Sequence, residues 1–256
     1  MCMIHIKIKQ VEDIPYLAVE KVDTANQPLP TIVYYHGFNG GKEDSLTIAY
    51  KLAQKGVRVI LPDCLMHGER KENASQTEIE LAFWDIVLQN VKELNIIKEH
   101  LQSNNLIADG LIGLGGTSMG GITATAALTQ YDWIKVAAVV MGTPNLLDYA
   151  AVLIQEFNKI NKQQISSQQK DEVISQLRHY DLSLRPELIN NRPLLFWHGE
   201  NDNVIPIQYT LQFYKKNKSN NDTNLEFIKE SGRAHNVSRI AVSETVRWLS
   251  DHLRMK

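Results

Sequence analysis

The sequence predicts an α/β protein with a mostly parallel, doubly wound sheet that carries helices on both faces. Two observations lead to this class: short, nearly continuous apolar runs recur along the chain, and amphipathic helical segments separate them. Apolar runs of this kind are typical of strands that are covered on both faces in a parallel sheet. Their alternation with helices indicates right-handed β-α-β crossovers, and therefore the doubly wound arrangement.

The start of the chain predicts an antiparallel edge on this sheet. Residues 4–8 alternate apolar and polar side chains, as a half-buried strand does, and residues 16–22 are expected to be the hairpin partner. The buried strands follow as apolar runs at residues 31–35, 57–61, 111–115, 136–141, 193–197 and 225–228.

Segments with helical periodicity lie between these runs, at residues 45–55, 75–101, 120–130, 207–216 and 237–253. The second of them opens with Ser75-Gln76-Thr77-Glu78, which has the spacing of a capping box. Residues 145–191 stand apart because they are rich in Gln, Asn, Lys and Ser and contain no predicted strand. We interpret residues 1–256 as one domain in which 145–191 is a small helical lid or insertion. Two packed surface helices without a functional duty are an equally good interpretation of that segment.

The composition is that of a soluble globular protein. With 43% hydrophobic and 22% charged residues, the chain has enough apolar side chains to exclude disorder. The net charge of −2 gives no sign of a nucleic-acid or membrane partner. The N-terminus lacks the apolar region of a signal peptide, and two isolated cysteines, Cys2 and Cys64, suit a reducing compartment. We therefore expect a cytoplasmic monomer or homodimer.

A G-x-S-x-G motif lies where a buried strand meets a helix. The string Gly116-Thr117-Ser118-Met119-Gly120-Gly121 follows the strand at 111–115. In this context the serine occupies a tight turn with a strained backbone, and Gly116 and Gly120 remove side chains that would collide across the turn. The pattern predicts that Ser118 is a nucleophile, and a glycine-rich turn with an incidental serine is the alternative.

An acid and a histidine follow the last two predicted strands. Asp202 is the candidate to orient a catalytic histidine, although Glu200 competes for that role. Of the eight histidines, only His235 lies in a post-strand loop after both Ser118 and Asp202. An imidazole suits general base chemistry near neutral pH, and the chain order Ser, Asp, His is that of the α/β-hydrolases.

Two backbone N–H groups are candidates for an oxyanion hole. One is that of Met119, directly after the predicted nucleophile, and the other is that of Phe38 in the glycine-rich loop 36–41. This loop lacks the spacing of a phosphate-binding loop, and Lys42 is followed by Glu43 rather than Ser or Thr. No metal-binding string occurs in the sequence, so we expect neither a metal nor another cofactor.

Two further groups of residues are candidates for shaping the pocket. Residues 63–70 either form its floor or lock their own loop through Asp63 and His67, and we favour the structural role. Several apolar residues either line an acyl pocket or belong to the core: Phe38, Met66, Met119, Leu146, Leu147, Leu153 and Phe157.

Taken together, these motifs resemble those of the α/β-hydrolases. The resemblance rests on Tyr35-His36-Gly37-Phe38, Pro62-Asp63 with His67-Gly68, the Ser118 motif, Trp197-His198-Gly199 with Asp202 and Val204-Ile205-Pro206, and His235. Over roughly residues 16–254 the chain is similar to small bacterial carboxylesterases of the prolyl-oligopeptidase-like and dienelactone-hydrolase-like branch, close to the YjfP-type esterases. Two departures are that dienelactone hydrolases use Cys at the position of Ser118, and that this chain has no room for the propeller of the prolyl oligopeptidases.

The resemblance implies an α/β-hydrolase fold with an eight-stranded sheet, a triad of Ser118, His235 and Asp202, no cofactor, and a small-molecule ester as substrate. We therefore expect a serine hydrolase that cleaves short acyl esters through an acyl-enzyme intermediate. Three alternatives stay open: a serine peptidase or amidase with the same triad, an acyltransferase that excludes water, and a non-enzymatic ligand-binding protein of this fold.

Overall fold

The computed structural model describes residues 3–160, 164–218 and 224–253, which form one eight-stranded sheet and eight α-helices. The strands are β1 (Ile4–Val11), β2 (Ile14–Lys21), β3 (Leu29–Tyr35), β4 (Arg58–Pro62), β5 (Ile107–Thr117), β6 (Ala137–Val140), β7 (Leu194–Gly199) and β8 (Leu225–Glu230). The helices are α1 (Leu46–Gln54), α2 (Gln76–Leu81), α3 (Phe83–Ser103), α4 (Met119–Leu128), α5 (Leu146–Ile160), α6 (Ser167–Leu177), α7 (Ile207–Asn217) and α8 (Arg239–His252).

The strand order is β1-β2-β4-β3-β5-β6-β7-β8, and only β2 runs against its neighbours in the sheet described here. The predicted doubly wound sheet with an antiparallel edge is therefore confirmed. The expectation that the first strand is half-buried was wrong, because Ile6 is 52% and Ile8 is 73% exposed. As the outermost strand, β1 is covered incompletely by the helical layers.

Helices cover both faces of the sheet. Alternate side chains of β3 point to opposite faces, so Ile32 and Tyr34 join one core while Val33 and Tyr35 join the other. The first core is closed by α1 and α8, and the second by α3 and α4. Each large apolar side chain that is fully buried in this way stabilises the fold by about 1.5–3 kcal/mol.

The helix predicted over residues 75–101 is in fact two helices. The backbone leaves helical geometry at Ala82, with φ −80° and ψ 2°, so that α2 ends there and α3 begins at the next residue. The predicted capping box is present, since the Glu78 carboxylate accepts the Ser75 N–H at 2.7 Å and the Ser75 hydroxyl accepts the Glu78 N–H at 3.3 Å. Periodicity alone did not reveal the break, because apolar spacing continues through it.

Residues 145–191 carry α5, α6 and two short 3₁₀ turns, Leu182–Leu184 and Pro186–Ile189. The buried carboxylate of Asp181 joins the two ends of the segment. It accepts the Leu147 N–H at 2.9 Å near the start of α5 and the Ser183 N–H at 2.9 Å in the first 3₁₀ turn. Residues 161–163, between α5 and α6, lie outside the described residues.

The structure describes one of the two cysteines. Cys64 is a free thiol and is fully buried, whereas Cys2 lies outside the described residues. Among the helices of the described ranges, none combines the length and the apolar character that crossing a membrane requires.

A buried ion pair ties β4 to β2. The Arg58 guanidinium is 2% exposed and bonds the Glu20 carboxylate, which is equally buried. The remaining guanidinium N–H groups donate to backbone carbonyls of Ala25 at 2.9 Å, Gln27 at 3.0 Å and Leu106. The arginine therefore satisfies three loop carbonyls at the amino-terminal end of β3 in addition to its charge partner.

We expect Glu20→Gln to lower the free energy of unfolding by about 3–5 kcal/mol, because it leaves the Arg58 charge buried without compensation. Urea unfolding measures the loss. The matched control is Glu226→Gln, which breaks the exposed pair with Arg247 and should cost less than about 1 kcal/mol. Equal losses in the two variants would contradict the role assigned to the buried pair.

Candidate active site

The sheet order brings several loops to one edge. Strands β3, β5, β6, β7 and β8 are adjacent and parallel, so the segments that follow them emerge side by side. Ligands bind at this carboxyl edge in open α/β sheets. The candidate residues that the sequence places after β3, β5, β7 and β8 therefore share one region of the surface.

Ser118 occupies a sharp turn between β5 and α4. Its backbone has φ 55° and ψ −114°, a strained conformation for a residue with a side chain, and its N–H donates to the Val140 carbonyl at 2.8 Å. A Cβ at Gly116 would lie 2.1 Å from the Gly120 carbonyl oxygen, and one at Gly120 would lie 2.2 Å from the Tyr35 carbonyl oxygen. Glycine is required at both positions, as the motif predicted.

The side chains of Ser118, His235 and Asp202 form a continuous hydrogen-bonded series. The Ser118 Oγ lies 2.9 Å from His235 Nε2, and His235 Nδ1 lies 2.7 Å from Asp202 Oδ2. An ionised carboxylate only accepts hydrogen bonds, so Nδ1 carries the proton and Nε2 accepts from the serine hydroxyl. Three residues that are far apart in the sequence thus have the geometry in which a serine can lose its proton to an imidazole.

The Asp202 carboxylate is fully enclosed and heavily hydrogen-bonded. Its Oδ1 accepts the N–H groups of Val204 at 2.9 Å and Ile205 at 3.0 Å, and its Oδ2 contacts both His235 and His198. Burial opposes ionisation, but the hydrogen bonds from the two imidazoles and from Val204 outweigh it and hold the pKa of Asp202 well below its usual range. Asp202 is therefore an anion at neutral pH.

Glu200, the competing acid, points elsewhere. Its carboxylate pairs with Lys229 at 2.7 Å and accepts the Ser231 hydroxyl at 2.6 Å on the exposed side of β8. The hydrogen bond from Lys229, followed by that from Ser231, lowers the pKa of Glu200 to about 2. The structure thus separates the two acids: Asp202 contacts His235, whereas Glu200 belongs to a surface ion pair.

His198 is a site residue that the sequence placed in a family motif without a role of its own. The ring is fully buried, and its Nε2 lies 3.1 Å from Asp202 Oδ2 and 2.9 Å from the Ile205 carbonyl oxygen. A single Nε2–H shared between these acceptors fixes the orientation of the carboxylate. The available signal was its place at the end of a buried strand, four residues before Asp202.

The loop after β3 lies directly against Ser118. A Cβ at Gly37 would be 3.5 Å from the Ser118 Cβ, so the Gly37–Phe38 backbone is in contact distance of the serine. In the described ranges, neither the Phe38 N–H nor the Met119 N–H donates to a protein acceptor. Met119 is also the first residue of α4, where the positive end of the helix dipole lies. Both groups are free to receive a developing negative charge.

His36 holds this loop in place. Its Nε2 accepts the Cys64 N–H at 3.1 Å, so the proton is on Nδ1, which donates to the Gly37 carbonyl at 2.7 Å. Burial lowers the pKa of His36, which keeps the ring neutral and this pair of bonds intact. A second imidazole, that of His67, packs edge-on against the Phe38 ring at 5.3 Å between centroids.

The structure agrees with a structural role for residues 63–70. The Asp63 carboxylate accepts the Lys42 N–H at 2.8 Å, the Lys42 ammonium at 2.7 Å and the Glu69 N–H at 3.0 Å. Lys42 is 2% exposed, and its charge is compensated there by Asp63 and Glu69. This cluster joins the loop after β4 to the loop that carries Phe38.

Two cavities meet at Ser118, and Phe38 lines both. The smaller, about 310 Å³, is largely apolar and is lined by aromatic residues of α3 together with side chains of α5, among them Phe83, Trp84, Tyr149, Leu153 and Phe157. The larger, about 730 Å³, lies between α1 and α8 and is more polar. His235 lines the larger cavity and does not line the smaller one.

The predicted acyl-pocket residues divide between cavity and core. Phe38, Leu153 and Phe157 line the smaller cavity, whereas Met119 and Leu146 are fully buried in the core. Met66 and Leu147 pack against the core and line neither of the two cavities at Ser118. Within the part of the chain that the structure covers, no group of three or more His, Cys, Asp or Glu side chains is placed to bind a metal.

A family model and two full-length proteins match this sequence. The model of the prolyl oligopeptidase family matches residues 89–256, a range that contains all three residues of the hydrogen-bonded series. The chain is 42% identical over 258 residues to "Putative esterase YitV" of Bacillus subtilis (strain 168), covering 98% of this chain and 100% of that protein. It is 28% identical over 263 residues to "Esterase YjfP" of Escherichia coli (strain K12), with the same coverage.

A solved structure supports the fold. The chain superposes on the esterase Pf2001 of Pyrococcus furiosus with a TM-score of 0.67 at 16% identity, covering 99% of this chain and 94% of that one. The predicted α/β-hydrolase fold is thus confirmed, and so is the resemblance on which it was based.

The depressed pKa of Asp202 predicts a pH-dependent contribution to stability. That contribution is present above the pKa of an unfolded aspartate, about 3.9, and is lost as the pH falls through the lower folded-state value. We expect Asp202→Asn to lower the free energy of unfolding near neutral pH, with a difference from the wild type that shrinks below about pH 4. Urea unfolding as a function of pH measures it, with Asp171→Asn on the exposed side of α6 as the control. A difference that widens in acid would contradict this assignment.

Proposed function

The chain belongs to the prolyl oligopeptidase family, and we propose that it is a serine esterase that cleaves short-chain acyl esters with Ser118, His235 and Asp202. The observation that carries this proposal is the hydrogen-bonded series from the Ser118 hydroxyl through His235 to Asp202, which opens onto two cavities. Full-length relatives that are named esterases support ester hydrolysis as the reaction.

The first half of the reaction forms the acyl-enzyme. His235 Nε2 accepts the proton of Ser118 as Oγ attacks the ester carbonyl carbon. The carbonyl oxygen becomes an oxyanion and receives hydrogen bonds from the N–H groups of Met119 and Phe38. Asp202 stays ionised throughout and stabilises the imidazolium that forms at His235. The imidazolium of His235 then gives its proton to the alkoxide oxygen, the alcohol departs, and the acyl group stays on Ser118, which completes the first half.

The second half of the reaction releases the acid. Water then attacks the acyl carbon while His235 takes its proton, and Ser118 recovers the proton as the carboxylic acid is released. The His235 side chain is 18% exposed, so water from the solvent can reach the acyl-enzyme.

The smaller cavity is the site for the acyl group. The leaving oxygen must lie beside His235 Nε2 to be protonated, and His235 lines only the larger cavity. The acyl chain therefore extends into the other cavity, where Phe83, Trp84 and Leu153 give it an apolar wall. At about 310 Å³ this cavity is at the small end of the range of about 300–1,000 Å³ for ligand sites, which favours a short chain.

Peptide or amide hydrolysis is the second candidate, because the matching family model is that of a peptidase family. The same residues would serve, with an amine instead of an alkoxide taking the proton from His235. A peptide nitroanilide that is hydrolysed faster than a nitrophenyl ester would favour this candidate over the esterase.

We expect Ser118→Ala and His235→Ala each to lower kcat for a nitrophenyl butyrate by about 10³-fold or more, and the double variant to be no worse than either single one. Ser118→Ala should also abolish labelling by a fluorophosphonate. Ser243→Ala, which changes an exposed serine of the larger cavity, is the matched control and should keep its activity. Full activity in a folded Ser118→Ala variant would refute the proposal.

The acyl cavity predicts a chain-length preference. Across nitrophenyl esters of increasing length we expect kcat/KM to reach its maximum at or below about eight carbons. Leu153→Trp should fill part of the cavity and reduce kcat/KM for hexanoate about fivefold relative to acetate. Leu184→Trp changes an exposed leucine outside both cavities and should leave that ratio unchanged. A maximum at longer chains, or an unchanged ratio in Leu153→Trp, would contradict the assignment.

A further inference from the structure

The larger cavity carries an excess of positive charge. Lys51 of α1 and Arg239 at the start of α8 both line it, and the only carboxylate on its wall in the described chain is that of Asp44. The Asp44 carboxylate accepts a hydrogen bond from the Gly41 N–H at 3.0 Å. Neither cation forms an ion pair or a side-chain hydrogen bond within the residues that the structure describes. Both charges are therefore available to a ligand.

The smaller cavity carries carboxylates instead. Glu80 and Glu156 lie on its wall, and no cation of the described chain lines it. Lys159 pairs with Glu156 at 2.7 Å, so Glu80 supplies the negative charge that has no ion pair within the described residues. An anionic group on the substrate is repelled from the acyl side of Ser118 and attracted to the other side, because the interaction of charges in a partly enclosed cavity is stronger than in open solvent. The two cavities thus distinguish the ends of an ester by charge.

Helix α8 adds to this preference. It is 14 residues long and begins at Arg239, so its positive dipole end faces the same cavity as the two cations. The Ser238 hydroxyl accepts the Ala241 N–H at 2.9 Å. The other N–H groups of the first turn have no partner within the helix, as at the start of any α-helix. Cation side chains and a helix N-terminus on one wall, beside the base, are suited to an anion on the leaving group.

Building on the proposed function, we propose that the natural ester has an alcohol portion that bears a carboxylate or phosphate, which Lys51 and Arg239 bind in the larger cavity. Attack by Ser118 breaks the bond between the acyl carbon and the alkoxide oxygen. The proton from His235 goes to that oxygen, so the anionic alcohol leaves as a neutral hydroxyl with its remote charge unchanged. Water then releases the short carboxylic acid.

The test compares three esters with one acyl group: 3-butyryloxybenzoate, 3-butyryloxybenzamide and 3-butyryloxyphenyl phosphate. The first two differ only in the group remote from the ester, which is a carboxylate in the benzoate and a neutral amide in the benzamide. The third carries a phosphate at that place and so separates phosphate recognition from carboxylate recognition. We expect kcat/KM of the wild type to be about tenfold higher for at least one anionic ester than for the amide, mainly through KM. This preference should fall as ionic strength rises from about 0.02 M to 0.5 M.

Charge variants assign the preference to this cavity. Lys51→Gln and Arg239→Gln should each lower kcat/KM for the anionic ester about threefold, and together about tenfold, with the benzamide ester unchanged. Asp44→Asn should raise the ratio of kcat/KM for the anionic ester to kcat/KM for the benzamide ester, because it removes a negative charge from the cavity wall. The matched control is Lys92→Gln, which changes another exposed lysine, on α3, that lines neither cavity at Ser118. It should leave the ratio of kcat/KM for the anionic ester to that for the benzamide ester as in the wild type.

The outcomes separate this inference from the function on which it rests. If the wild type hydrolyses the benzamide ester but shows no preference for either anion, the inference is overturned and the esterase proposal stands. The inference also fails if Lys51→Gln and Arg239→Gln change all three esters in parallel. If no ester is hydrolysed and Ser118 is not labelled by a fluorophosphonate, both proposals are overturned.

Discussion

The site depends on close contact between two backbones. The position that a Cβ of Gly120 would take is 2.2 Å from the Tyr35 carbonyl oxygen and 2.8 Å from that of His36. The first turn of α4 therefore packs directly on the chain where β3 continues into the Phe38 loop. This one contact sets the position of Ser118, which begins the turn, and that of Phe38, which follows the contacted carbonyls. The two halves of the candidate oxyanion hole are positioned relative to each other by main chain, without an intervening side chain.

Three histidines that precede glycine hold the parts of the site around this contact. His36 bonds the Gly37 carbonyl, His67 packs on the Phe38 ring, and His198 shares its proton with Asp202. Each lies at or after the end of a strand. His36 bonds two loops at once, whereas His198 bonds the Asp202 carboxylate and the Ile205 carbonyl of the loop that follows it. The sequence assigned a structural role only to His67, within its own loop, because the contacts of His36 with Cys64 and of His67 with Phe38 join segments that are far apart in the chain.

What the sequence predicts well is what local pattern determines. Apolar runs predicted the sheet, and the place of Ser118 between a strand and a helix predicted the tight turn, because both depend on neighbours in the chain. The break at Ala82 and the exposure of Ile8 were missed, since each depends on what the rest of the fold covers. The Lys42–Asp63 pair was missed for the same reason: its members are 21 residues apart, and no periodicity links them.

The two cavities at Ser118 act on different steps of the proposed reaction. The alcohol has left before water attacks, so the acyl-enzyme retains only the group that occupies the smaller cavity beside Phe83 and Leu153. Charges at Lys51 and Arg239 consequently affect binding and acylation but not deacylation. When deacylation is slow, kcat depends on the acyl group alone, whereas kcat/KM still reflects the alcohol. The described linings of the two cavities have only Phe38 and Ser118 in common, so substitutions elsewhere in one wall can change selection for one end of the ester without altering selection for the other.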